Sequence, residues 1–491
     1  MAADPLQGNA PAAAAGQGKA GDPSRLTPRL RAILAIVIVA SMLDLMDSQI
    51  TNIAAPSIVR DIGGGESLIK WLGASYQLAI GTFLVIGGRL GDRYGKRRLY
   101  LIGIAGFTAA SLGCGLALDP AMIVIGRLFQ GAFGALLIPQ GISILMASFS
   151  REQLPRAFGA FGPVLGLSAV LGPIVGGFII SADLAGLHWR PVFLINILIG
   201  TAGLIAAFLL LPRDKPASGE PIDGLGSGLL GLMMLALIYG LIQGSTDGWS
   251  AAPVASLAAG AVLFGAFALR QRRAASPLIR PSLLRNKGFT SGLLLGLAFF
   301  ASLAGLTYLI SLFFQLVQHY SADKAALALS PMAFGFITAS LVGRPLVQKL
   351  GRTLVVIGLA TALAGAFGLW ATVLTEKVGV TGYLTIPSVY VLGLGIGSCI
   401  TSLYDVAIGD VTQDEAGSAS GSFSAVQQLA SAIGAAVVTS IYFKVMAAHG
   451  GITAMTTSAF TVTIIIAACL GLVWLLPRKA ATEREALSAD V

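Results

Sequence analysis

The chain has 491 residues, 55% of them hydrophobic and only 11% charged, with a net charge of +9. A soluble domain carries about 25% charged residues, so the polar surface is too small for a water-facing globular protein. A mean hydropathy of +0.82 and 62 glycines suit lipid, where about 20 apolar residues span the bilayer and small residues let helices approach closely.

Residues 1–31 are rich in Ala, Gly and Pro without apolar periodicity and read as a disordered tail. Fourteen apolar segments follow. Seven lie at 32–56, 69–89, 99–117, 121–147, 157–181, 191–211 and 225–244, and seven at 253–270, 288–317, 325–347, 354–375, 383–408, 417–443 and 455–476. The first is too long for the core of a secretory leader and reads as a retained span. With the amino terminus placed inside, 25 of the 32 basic residues fall on the tails and the loops of that side, and six fall on the other. The clusters are Arg89–Arg98 and Arg270–Lys287. This asymmetry and the even span number put both termini in the cytoplasm. It also assigns the positive charge to membrane topology, which excludes nucleic acid as a partner. Lys70 counts among the six on the other side.

Other chemistries are excluded by spacing. Cys114, Cys399 and Cys469 lie far apart in apolar segments and read as buried small hydrophobes, not as a disulfide or metal set. His188, His319 and His449 are scattered over loops, so no metal site is expected. No phosphate-binding loop is present, which argues against ATP as the energy source, and no clustered constellation suggests an enzyme.

The most specific motif is Gly88-Arg-Leu-Gly-Asp92-Arg93-Tyr-Gly95-Lys-Arg97-Arg98, between the second and third spans. Its glycines permit a tight reversal between helices. It resembles motif A of the major facilitator superfamily, where the resemblance implies a conformational latch built on Gly88, Asp92, Arg93, Gly95 and Arg97. Arg127-Leu-Phe-Gln130-Gly131 is similar to that family's motif B. An arginine well inside a span is costly and marks a charge network or wet cavity. Gly162-Pro163-x-x-Gly166 and Gly172-Pro173-x-x-Gly176-Gly177 resemble its antiporter motif, with small residues for close packing and prolines for bending. Trp189-Arg190-x-x-Phe193-x-x-Asn196 is similar to a segment of the fourteen-helix drug exporters. So is Asp47-x-x-x-x-Asn52-x-Ala-x-Pro56, with Gln49 where that branch usually carries Thr. A worn second copy of motif A, lacking its Asp, lies at Gly343–Arg352.

The resemblance implies an all-α membrane protein of the major facilitator fold. Its units are a tail to 31, a six-helix bundle over 32–211, a two-helix insert with linkers over 212–287, a second bundle over 288–476, and a tail over 477–491. It implies a proton-coupled antiporter of the cell membrane that exports small, largely hydrophobic compounds by alternating access and functions as a monomer. A proton-coupled importer or uniporter is the alternative. The expected partners are the bilayer, protons and a small-molecule substrate, with the proton gradient as energy source and no cofactor. Acids within spans are few and are functional candidates. Asp47 is the first candidate for proton coupling and Asp44, one turn earlier on the same face, the second. Asp405 is an outside candidate, and Asp410 reads as a solvated loop residue. Substrate-cavity candidates are Gln49, Asn52, Gln130, Gln140, Gln315, Tyr404, Gln427 and Gln428, since amides orient a ligand without demanding a charge.

Overall fold

The computed structural model describes residues 26–150, 153, 157, 168, 171–214, 223–274, 277–278, 281–408 and 416–477. All regular structure among them is helical. The first bundle comprises α1 (Pro28–Ile62), α2 (Gly65–Tyr94), α3 (Lys96–Gly115), α4 (Pro120–Ser148), α5 (Leu171–Ala182) and α6 (Pro191–Leu210). Two further helices follow, α7 (Gly224–Asp247) and α8 (Ala251–Arg273), and then the short α9 (Pro281–Arg285). The second bundle holds α10 (Lys287–Leu312), α11 (Ala322–Leu350), α12 (Arg352–Glu376), α13 (Gly382–Ile408), α14 (Ala416–His449) and α15 (Gly451–Leu472). Eleven helices among the described residues are long and apolar enough to cross a membrane, and α1 and α2, at 35 and 30 residues, match them in length.

Local chemistry sets the helix ends. Thr27 accepts from the Leu30 amide at 3.3 Å, Asp119 from Met122 at 2.9 Å and Asn286 from Phe289 at 3.1 Å. Each satisfies an orphan amide of a first turn, and Pro28 and Pro120 sit where a missing N–H costs nothing. The two halves repeat one device at the end of the bundle nearest the tails. Gly95 (φ +97°) turns α2 into α3, and Gly351 (φ +49°) turns α11 into α12, backbone angles that a side chain resists. Two residues after Gly95, Arg97 donates to the Phe208 carbonyl at the end of α6 and stacks on its ring, 5.4 Å from the centroid. One residue after Gly351, Arg352 donates to the Leu476 carbonyl at 2.9 Å and stacks on Trp474 at 4.9 Å. Each arginine satisfies free carbonyls at a helix end and fastens the last helix of its bundle.

Packing relies on glycine at crossing points. A Cβ on Gly393 of α13 would stand 1.9 Å from the Met332 carbonyl oxygen of α11, and one on Gly434 of α14 would stand 2.0 Å from that of Ala301 on α10. One apolar core runs from α1 and α2 (Ile53, Ile58, Leu72) through Phe193 into the second bundle (Phe299, Leu309, Leu359, Val462). It joins the halves at the end away from the tails, here called the far end. The pair α7–α8 lies beside this core, with Met233, Ile238 and Ile242 packed against Leu78, Leu429 and Ala436. The Arg270 guanidinium meets the buried Asp223 carboxylate at 3.0 Å, which closes the α7–α8 pair at its tail-end base.

Lys70, which falls inside the apolar run at 69–89 and counts with the far side, lies in the second turn of α2, fully buried, with its ammonium 5.7 Å from the Phe443 ring.

Overpacking such crossings costs about 1–3 kcal/mol. Gly393→Val is expected to lower the melting temperature of the detergent-solubilised protein clearly. Gly471→Val, where an added Cβ meets open space, is expected to leave it nearly unchanged.

Candidate functional site

α1 presents two working faces. Asp44, Asp47 and Thr51 recur at helical spacing and are buried against the first bundle, while Leu45, Ser48, Gln49 and Asn52 face a cavity between the bundles. Asp47 and Arg127 form an ion pair with each side chain 1% exposed. Asp47 Oδ1 also accepts from Gln130 Nε2 at 3.0 Å and from Asn196 Nδ2 at 2.5 Å. The Arg127 guanidinium donates to Gln130 Oε1 at 2.8 Å, and Ser111 Oγ accepts from Gln130 at 2.7 Å. Two helices, α4 and α6, thus donate to one carboxylate of α1, and α3 supports them through Ser111, as a buried charge requires. The i, i+3 spacing of Arg127 and Gln130 brings both to the same face of α4.

Asp44 has a different environment. The Tyr76 hydroxyl donates to it, and no cation reaches it among the described residues. The opposite side of this link is the Tyr76 ring, over which Arg127 lies at 4.1 Å. A single guanidinium therefore touches Asp47 directly and Asp44 through an aromatic ring. Gly134 gives Asp44 its space, because a Cβ there would fall 2.7 Å from Asp44 Oδ1.

The cavity encloses about 320 Å³. Tyr76, Gln77 and Arg127 line it from the first bundle, Phe300, Thr307, Tyr308, Ser330 and Phe336 from the second, and Gln427, Gln428 and Ser431 from α14. At its far end the halves meet. Tyr308 donates to the Ile69 carbonyl at 2.6 Å, Ser311 to that of Asn52 at 3.3 Å, and Ser181 to Asp323 Oδ1 at 2.6 Å. Outside this seal, Asp61 accepts from Trp189 Nε1 at 2.9 Å and from Arg190 at 2.5 Å. The Arg190 hydrogen bond, then that of Trp189, holds the Asp61 carboxyl below its ordinary range.

Among the expected cavity residues, Gln49, Asn52, Gln427 and Gln428 line it. Gln130 belongs to the Asp47 network. Gln140 is buried and donates to the Gly87 carbonyl at 2.6 Å, and Gln315 donates to Ser311 at 3.0 Å. Within the antiporter motif, Gly172 and Gly176 pack α5 on Gln49 and Ile50 of α1. Gly177 packs on Ala322 and Asp323 of α11, across the interface between bundles, and Pro173 lines the cavity. Gly162, Pro163, Gly166 and Asp410 lie outside the described residues, as do the side chains of Asp92, Tyr404 and Asp405. Gly88 stands near Pro139 of α4. Arg93 is exposed over Tyr94, and the α2–α3 turn is held within its own bundle by Asp214, which accepts from the Lys96 and Arg97 amides. Residue patterns had not marked Tyr76 or Ser111 as site residues, and Asn196 had stood only as part of a motif. Its spacing of seven from Trp189, two helical turns, was the available signal.

The chain belongs to the major facilitator superfamily, whose family model matches residues 37–435. It is 42% identical over 420 residues to a probable actinorhodin transporter of Streptomyces coelicolor, covering 84% of this chain and 73% of that protein. It is 31% identical over 422 residues to the tetracenomycin C resistance and export protein of Streptomyces glaucescens, covering 85% and 76%. A D-xylose-proton symporter of known structure shares the fold, with a TM-score of 0.65, 16% identity and coverage of 92% of this chain and 98% of that one. The chain is therefore a multi-pass membrane protein from a family of transporters.

Removing one member of a buried ion pair costs about 3–5 kcal/mol, because the other charge stays uncompensated. Asp47→Leu and Arg127→Met are each expected to lose stability on that scale, measured by thermal unfolding in detergent. The double variant is expected to recover most of the loss; a double variant less stable than either single would refute the pairing.

Proposed function

We propose that this chain is a proton-coupled antiporter that exports small, largely hydrophobic compounds by alternating access. The observation that carries the reading is the cavity between the bundles, with the Asp47–Arg127 pair at its wall and a seal at its far end. The export and resistance functions in the relatives' names support the outward direction. On this reading there are fourteen spans, the eleven together with α1, α2 and the segment containing α5. Both tails lie in the cytoplasm, and the far end faces outward.

The coupling chemistry follows from charge balance. Two carboxyls surround one guanidinium, and a dry interior favours net neutrality. With Asp47 ionised against Arg127, Asp44 holds one proton and accepts a hydrogen bond from the Tyr76 hydroxyl. Loss of that proton leaves a net negative site, and a second proton on Asp47 leaves Arg127 unpaired. The first change alters what holds α1 to α2 and the second what holds α1 to α4, and α1 reaches the second bundle through the Asn52 carbonyl. Protonation is thereby linked to the far-end seal. Gly177 serves the same transition by letting α5 lie against α11, and it imposes no chemistry of its own. An inward proton supplies about 2.3 kcal/mol per 100 mV and about 1.4 per pH unit, so one proton sustains at least a tenfold substrate gradient without ATP.

The test is dye transport by purified protein in liposomes, with and without an imposed pH gradient. Wild type is expected to transport only with the gradient. Asp47→Asn and Asp44→Asn are each expected to reduce the gradient-driven rate at least tenfold. Transport indifferent to the gradient in all three would remove proton coupling and favour a uniporter.

A further inference from the structure

Resting on the export reading, the cavity wall also specifies the guest. We infer that the cavity takes uncharged, flat, oxygen-rich aromatic compounds and discriminates against lipophilic cations.

The first observation is the charge of the wall. Among the described lining residues there is no Asp, Glu, Lys or His, and Arg127 is the one cation, already neutralised by Asp47. An ion entering such a space loses its hydration and finds no counter-ion. Aromatic faces could hold a cation instead. Here the face of Tyr76 is occupied by Arg127 at 4.1 Å, so a second cation next to it meets like charge. Asp44 is a carboxyl in the neighbourhood, but it is absent from the wall, and the Tyr76 side chain is hydrogen-bonded to it.

The second observation is that the wall has spare hydrogen-bonding capacity without charge. Gln77 Nε2 donates to Ser48 at 2.8 Å, yet its Oε1 is buried and has no partner among the described residues. Gln49 Oε1 accepts from Asn52 at 3.3 Å, which leaves the Gln49 amine unspent. On the facing bundle, Gln428 makes no hydrogen bond among the described residues and lines the same space. A buried amide oxygen without a donor costs free energy until one arrives. A phenolic hydroxyl answers Gln77 Oε1, and quinone or ketone oxygens answer the amide N–H groups of Gln49 and Gln428.

The third observation is shape. Phe300 and Phe336 offer apolar faces between these amides, and Phe300 is held edge-on by Phe299 at 5.2 Å and by Phe423 at 6.3 Å. Rings fixed in this way favour offset stacking with a planar guest. A volume of about 320 Å³ lies at the low end of the roughly 300–1,000 Å³ typical of small-molecule sites, which suits a few fused rings.

The experiment measures binding to the detergent-purified protein by equilibrium dialysis, with three probes of similar ring size: 1,8-dihydroxyanthraquinone, anthraquinone-2-sulfonate and ethidium. The hydroxyquinone is expected to bind at least tenfold more tightly than either ion. Gln77→Leu and Gln428→Leu are each expected to weaken it about tenfold, with ethidium unchanged. Gln77→Glu is expected to improve ethidium binding. Ethidium or the sulfonate binding wild type as tightly as the hydroxyquinone would overturn the inference, as would full affinity in both Leu variants. The wild-type comparison needs no variant to fold. Binding is read without a pH gradient, so loss of proton coupling and loss of this selectivity are separate outcomes.

Discussion

A charge cannot remain alone in a dry helical interior, and the first bundle is organised around that constraint. Arg127 and Asp47 neutralise each other while both are nearly inaccessible, and the carboxylate's remaining capacity has to be filled from elsewhere. Gln130 comes from the next turn of α4, and Asn196 from α6. Ser111 on α3 holds the Gln130 amide from behind. This single requirement fixes the relative rotation of α1, α3, α4 and α6. Apolar contacts alone would tolerate several rotations of such uniformly hydrophobic helices.

The same constraint gives the motifs a physical meaning. In Trp189-Arg190-x-x-Phe193-x-x-Asn196, successive turns serve successive depths. Trp189 and Arg190 bind Asp61 at the far rim, Phe193 lies under the Arg127 guanidinium at 5.9 Å, and Asn196 closes the carboxylate shell. In Arg127-x-x-Gln130-Gly131-x-x-Gly134, the polar pair makes the network. The glycines let α4 approach α2 closely enough for Tyr76 and Asp44 to meet. Bulk at either glycine would separate the helices that the charge network draws together.

Much of this was legible in the residues. The apolar runs located the helices, because lipid forces long uninterrupted segments. The glycine-rich turns marked the two reversals at Gly95 and Gly351, and the costly placement of Arg127 and Asp47 within spans singled them out. What escaped was pairing. Sequence distance does not say that residue 47 meets 127 and 196, or that an apolar-looking Tyr76 supplies the hydroxyl for Asp44. Glutamines looked alike in the chain, yet Gln140 ties α4 to the Gly87 carbonyl while Gln428 faces the cavity. The burial of Lys70 escaped for a related reason: a charge near a helix start reads as water-facing, but this one is fully buried beside Phe443 of α14.

The far-end seal is weak where the charge network is strong, and that contrast decides whether a molecule built this way can cycle. The seal consists of two neutral hydrogen bonds, Tyr308 to Ile69 and Ser311 to Asn52, and one to a carboxylate, Ser181 to Asp323. The neutral ones are worth about 0.5–1.5 kcal/mol net each and the third about 1.5–3, together with small-residue packing at Gly177. A seal made of buried ion pairs would cost far more to open than one or two protons can supply. The structure instead confines its strong electrostatics to the interior of one bundle, where they need not break apart the halves, and leaves the moving interface with weak, replaceable contacts. On the proposed function, a proton bound near Arg127 would have only a few kcal/mol of contacts to overcome, which is the scale of the driving force a proton gradient supplies.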